Sequence, residues 1–141
     1  MDNSNELQDT ILQALEGAAE ACTALSGFIL ESANHLRSGQ IQEGNQLLAQ
    51  VLDEFSQLTS FLQDVRQWKF FVDEGRQSSM DALDKESQEM ADLLKMAVDA
   101  QEKQDWVYLA DILEYEFSQK MGSWDGLLRG MSHPGETRPS F

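Results

Sequence analysis

The side chains able to do chemistry are few and scattered. His35 stands four residues after Glu31, a spacing that puts both on one face of a helix, where they could offer a nitrogen and an oxygen to one metal ion. A metal site inside a helical bundle asks for more: a Glu-x-x-His pair on each of two helices and further inward carboxylates. The other histidine, His133, belongs to no such motif. Glu31 and His35 therefore read as a solvated pair at a helix end, and a carboxylate-rich metal-binding protein ranks last among the readings. Asp111, Glu114, Tyr115 and Glu116 form the densest polar cluster. Paired carboxylates do acid–base work only when burial or a neighbour separates their pKa values, and helical periodicity turns Asp111 and Glu114 away from Leu109, Leu113 and Phe117. They read as a solvated face. Cys22 falls on an apolar seam between Ala18 and Leu25. A reactive thiolate needs an electropositive, partly exposed setting, and Arg37 is the sole Lys or Arg before Arg66. No glycine-rich phosphate loop, Cys-x-x-Cys pair or Ser-His-Asp order is present. The sequence points away from an enzyme, with no catalytic residue, metal or cofactor expected.

What would position these residues is a set of long amphipathic helices. From Asn5 to Arg37, Leu7, Ile11, Leu15, Ala18, Cys22, Leu25, Ile29 and Leu36 recur at steps of three, four or seven, one face of a 3.6-residue turn. Gly17 and Gly27 lie within that stretch, as sites where a neighbouring helix packs closely or the helix bends. Ser38-Gly39 ends the helix. A second runs from Ile41 or Gly44 to Lys69 with the seam Leu48, Val51, Phe55, Leu58, Leu62 and Val65, widened by Leu47, Leu52 and Phe61. Trp68 to Ser79 is the connection, and Ser78 or Ser79 caps a third helix that reaches Gln101, with Met80, Leu83, Ser87, Met90, Leu94 and Ala97 on its face. Asp105 caps the fourth, Trp106 to Arg129, whose face is Trp106, Leu109, Leu113, Phe117, Met121, Trp124 and Leu128.

The chain also repeats itself. At an offset of 62 residues Leu47 falls on Leu109, Val51 on Leu113, and Glu54-Phe55-Ser56-Gln57 on Glu116-Phe117-Ser118-Gln119; further back, Ala18 falls on Met80, Phe28 on Met90 and Leu36 on Val98. The reading is all-α: an antiparallel four-helix bundle built from two duplicated hairpins, 5–69 and 79–129, in one domain spanning 1–129. Residues 130–141, with two prolines and no apolar periodicity, are expected to form a disordered tail.

Of the 141 residues 25 are acidic and 10 basic, a formal charge of -15. A phosphate backbone would be repelled, so no nucleic acid is expected as partner. No apolar run approaches the roughly 20 residues of a membrane span, and the polar N-terminus has no signal-peptide pattern. One cysteine and no pair to bridge fit a reducing compartment. The expected setting is cytoplasmic, away from membranes.

The segment DWVYLADILEYEFSQKMGSW, Asp105 to Trp124, resembles a pattern in small uncharacterised helical proteins of Gram-positive-type bacteria, in which an aspartate-started helix reads LADLLEYE. GNQLLAQVLDEF, Gly44 to Phe55, resembles the matching helix of the first hairpin in that group. The resemblance implies a bacterial four-helix protein and transfers no activity or site.

A non-enzymatic protein-binding or adaptor protein, its partner unknown, is the preferred functional reading; a homodimer is one form of it, and a cytosolic chaperone for an exported or filament protein is its rival. Leu12, Phe28, Phe61, Phe70, Phe71 and Trp106 are the candidate partner contacts, because they lie at helix ends or beside the main seams, and exposed side chains of that size mark contacts.

The seam makes one test direct. Leu58→Asp should abolish cooperative thermal unfolding, since an unpaired buried carboxylate costs several kcal/mol against a total stability of about 5–15 kcal/mol. Glu114→Ala should leave the melt nearly unchanged. A wild-type melt for Leu58→Asp would show the seam to be misassigned.

Overall fold

Each helix brings one apolar stripe, and stripes are satisfied only in pairs. The computed structural model describes residues 3–132, with side chains from Asn5 onward. In it α1 (Asn3–Arg37) and α2 (Ile41–Gln67) form one hairpin, and α3 (Glu74–Glu102) forms a second with a rod in three parts: α4 (Trp106–Asp111), a π-helical turn (Ile112–Phe117) and α5 (Ser118–Ser132). The described residues contain no strand. The all-α reading holds. α1 packs along α2 on one side and along the α4–α5 rod on the other; α3 packs along the rod; the α2 and α3 backbones scarcely approach one another. Three edges of the bundle are closed and the fourth is open.

Glycine decides where α1 and α2 touch most closely. A Cβ on Gly44 would lie 2.8 Å from Cγ and Cδ2 of Leu36 and 3.2 Å from the Ser32 carbonyl oxygen. Ser32, fully buried, donates its hydroxyl hydrogen to the Gly44 carbonyl at 2.7 Å. Of the close approach or bend expected at Gly17 and Gly27, the close approach is absent among the described residues, none of which lies within 4 Å of a Cβ built at either. Gly39 turns the hairpin at φ +81, a conformation that glycine takes without steric cost.

The connection between hairpins is a lock rather than a loose turn. α3 begins at Glu74, five residues before the expected start, and its cap is Asp73, whose side chain accepts from the Arg76 backbone N–H at 3.1 Å. Arg76, 5% exposed, donates Nε–H to the Met131 carbonyl at 2.8 Å and Nη1–H to the Phe71 carbonyl at 3.1 Å, while its guanidinium stacks 4.0 Å from the Phe71 ring centroid. It thereby satisfies a carbonyl at the end of α5, which no intrahelical partner could reach. The last helix runs to Ser132 and buries Met131, so residues 130–132 are helical where a tail is expected; residues 133–141 of that expected tail lie outside the described residues.

The π-helical turn follows from the seam. Leu109, Leu113, Phe117 and Met121 step four, four and four, which overshoots three α-helical turns by about 1.2 residues. One wide turn takes up the surplus residue, and all four side chains are buried at 2% exposure or less.

The 62-residue echo divides. In α2 and the rod, Phe55 and Phe117 are both buried, as are Val51 and Leu113. In α1 and α3 the match is partial: Ala18 and Met80 are both buried, but Phe28 is 39% exposed against a buried Met90, and Leu36 is buried against an exposed Val98. Leu7, read as core, is exposed.

Gly44→Ala should lower stability by about 1–3 kcal/mol, the usual cost of overpacking, whereas Gly17→Ala and Gly27→Ala should each raise it by up to about 1 kcal/mol through helix propensity. Chemical denaturation of the three variants checks this; three similar shifts would remove the close contact at Gly44.

Candidate functional site

The open edge between α2 and α3 is a groove with built ends. At one end Gln101 Nε2–H donates to Asn45 Oδ1 at 3.0 Å; at the other Arg66 pairs with Asp84. About 30 Å of helix separates these two straps. Between them Leu52, Phe55, Ser56 and Thr59 of α2 face Leu94 and Val98 of α3 across a hollow of about 380 Å³. It continues as a hollow of about 420 Å³ past Gln63, Ser87 and Gln88 to the Arg66–Asp84 strap. Val98 is 45% exposed.

The floor is rigid. Phe55 lies against Trp124 of α5 with ring centroids 5.1 Å apart and planes at 53°, an arrangement worth about 0.5–1.5 kcal/mol beyond area burial. Trp124 is fully buried, and its indole Nε1 has no hydrogen-bond partner among the described residues. Of the residues lining these two hollows, only Arg66 and Asp84 are charged, and they pair with each other, while Lys95, Asp99 and Glu102 line a further hollow on the other flank of Leu94 and Val98. On a chain of charge -15 this is a neutral stripe.

The expected contact residues are elsewhere and do not converge. Phe28 and Phe70 are exposed; Leu12, Phe61 and Trp106 are half-buried against the core. Phe71 is a correction: it is 1% exposed beneath Arg76 and cannot touch a partner. Leu94, expected on the core face of the third helix, is only half-buried, and the buried face there includes Met80, Leu83, Met90, Leu93, Ala97 and Ala100. The adjacent Leu93-Leu94 pair leaves the phase of that stripe open, which is why the groove escaped periodicity.

The chemical candidates are held in structural roles. Asp111 and Glu114 bind Arg37 at 2.8 and 3.1 Å, clamping the end of α1 to the rod. The Asp111 hydrogen bond holds the Arg37 guanidinium above its usual range, and Glu114 pushes the Tyr115 phenol up. Lys120 sits 2.7 Å from Glu89 and 3.0 Å from Glu86, joining α5 to α3; the Glu89 hydrogen bond raises the ammonium, and in return the carboxyl is lowered. His35 Nδ1 meets Gln40 Oε1 at 2.6 Å, so its partner is the hairpin turn rather than Glu31. Among the described residues no group of three His, Cys, Asp or Glu side chains could hold a metal ion.

Cys22 is fully buried, and that burial pushes its thiol up to about 12, with Asp125 adding to the effect and Arg129 opposing it. The raised value fixes the direction of its pH dependence. Below the ordinary thiol pKa the group is protonated in folded and unfolded chains alike, and its contribution to stability is intact; it is lost as pH climbs from the ordinary value toward about 12. At about pH 8, near a free thiol's pKa, a thiol reagent should label Cys22 only as fast as the whole chain unfolds. Labelling faster than hydrogen exchange of the core amides would contradict this.

No curated protein and no solved structure matches the chain. What does match, along residues 1–126 and so across both hairpins and the groove between them, is the family described as Domain of unknown function (DUF8042), and the chain belongs to it.

Proposed function

We propose that this chain is a non-catalytic binding protein whose α2/α3 groove receives an apolar helical face. The observation that carries the reading is the open fourth edge: Leu52, Leu94 and Val98 line a hollow with an aromatic floor, bounded at both ends by polar straps. Amphipathic helices dock in such grooves through residues at three- and four-residue spacing. The length between straps also favours a second reading within the same class, a chaperone that cradles a segment of its client, since about 30 Å accommodates about 20 helical residues. A bacterial, cytoplasmic setting belongs to the proposal. The helix pattern from Asp105 to Trp124 supports the first part, and the lone buried thiol supports the second. No helix among the described residues is long and apolar enough to cross a membrane.

Immobilised wild-type protein and Val98→Glu, exposed to the same cytoplasmic extract, test the groove. The variant should melt like wild type and lose a retained protein, with affinity down at least about tenfold, 1.4 kcal/mol. Identical retained proteins for both would place binding elsewhere. Stoichiometric transition metal in the purified protein would instead favour the metal-binding reading.

A further inference from the structure

We infer that the occupant of the α2/α3 groove is the same groove of a second copy of this chain, an inference that rests on the groove being a docking site. Charge is the first argument. Two chains of -15 repel one another over most approaches. The two hollows of the groove carry little of that charge: Ser56, Thr59, Gln63, Ser87 and Gln88 stand among their apolar residues, and their two charged residues pair with each other. A basic partner, which the net charge would attract, finds within these two hollows only Asp84, already paired with Arg66, to define its register. A second copy needs none.

Shape and area agree. Leu94 and Val98, four residues apart, form one ridge of α3, while Leu52 and Phe55 border the hollow beside it on α2. A twofold axis through the groove sets the ridge of each copy toward the hollow of the other, which is the self-complementarity an isologous contact requires. Two helices about 10 Å across and about 30 Å long present a face on the order of 600 Å², close to the roughly 800 Å² per partner of a stable interface. The 600 Å² face is about 7% of the 8433 Å² accessible surface, against the roughly 10% that a standard interface takes of a small protein.

Sedimentation of the full chain at about 20 mM and about 150 mM salt, across micromolar concentrations, reads the association. Wild type should dimerise, more tightly at the higher salt, where screening shortens the reach of the repulsion to about 8 Å. Val98→Glu, and independently Ser56→Glu on the opposite wall, should weaken the dimer at least about tenfold; both positions are exposed, so the melts should match wild type. A wild-type monomer at both salts overturns the proposal, as does a dimer that survives both groove variants but dissociates with Phe28→Glu on α1. In either case the groove reading stands if Val98→Glu still loses a captured protein from the extract, and falls with the proposal if it does not.

Discussion

The antiparallel seam between α1 and the α4–α5 rod is the contact on which every other placement depends. Leu15, Ala19, Cys22, Leu25 and Ala33 on one side, and Leu109, Ala110, Leu113, Trp124 and Leu128 on the other, have no exposed surface at all. At roughly 25 cal/mol per Å² of apolar area, this is where burial contributes most. α2 is then fastened chiefly to α1, and α3 chiefly to the rod. Neither outer helix needs the other, and their separation is set by the pair of helices between them.

The open edge also has a cause in residue size. At the 62-residue offset, the Ser32–Gly44 contact of the first hairpin corresponds to Leu94 and Trp106 in the second. Serine and glycine let two backbones close to a distance at which a single added Cβ would collide. Leucine and tryptophan cannot reproduce that approach, and α3 accordingly turns a different stripe, through Met90, Leu93 and Ala97, to the rod. The rotation carries Leu94 and Val98 round to face α2. Whatever relates the two hairpins in sequence, their first helices are used differently.

The four helices, the all-α class and the six-residue seam of α2 were legible because steps of three and four leave little choice of face: Leu48, Val51, Phe55, Leu58, Leu62 and Val65 are all buried. The π-helical turn was readable in principle from the three consecutive four-residue steps after Leu109, a pattern that a plain α-helix cannot keep on one side. Arg76 was not. A buried arginine announces itself only through the carbonyls it satisfies, at Phe71 and Met131, and the second lies 55 residues away. The groove was hidden for a related reason. Periodicity assigns residues to the face of a helix but does not say which neighbour that face meets, so Phe70 and Phe71, adjacent in sequence, gave no warning that one would be exposed and the other sealed.

Why the fourth edge stays open can be argued from its composition. A core edge would carry apolar residues throughout, yet Ser56, Thr59, Gln63, Ser87 and Gln88 interrupt Leu52, Leu94 and Val98, and burying their polar groups without partners would cost about 1–3 kcal/mol each. An ordinary surface of this chain would carry carboxylates, since 25 of 141 residues are acidic. The groove is too polar to be sealed as core and too neutral to be plain surface. Uncharged side chains that can hydrogen-bond either to water or to a neighbour suit a face that is wet in one state and covered in another. The separation of α2 and α3 is already set by the helices between them, with the straps at Asn45–Gln101 and Arg66–Asp84 spanning the edge, so that covering the groove would require little rearrangement of the helices that form it.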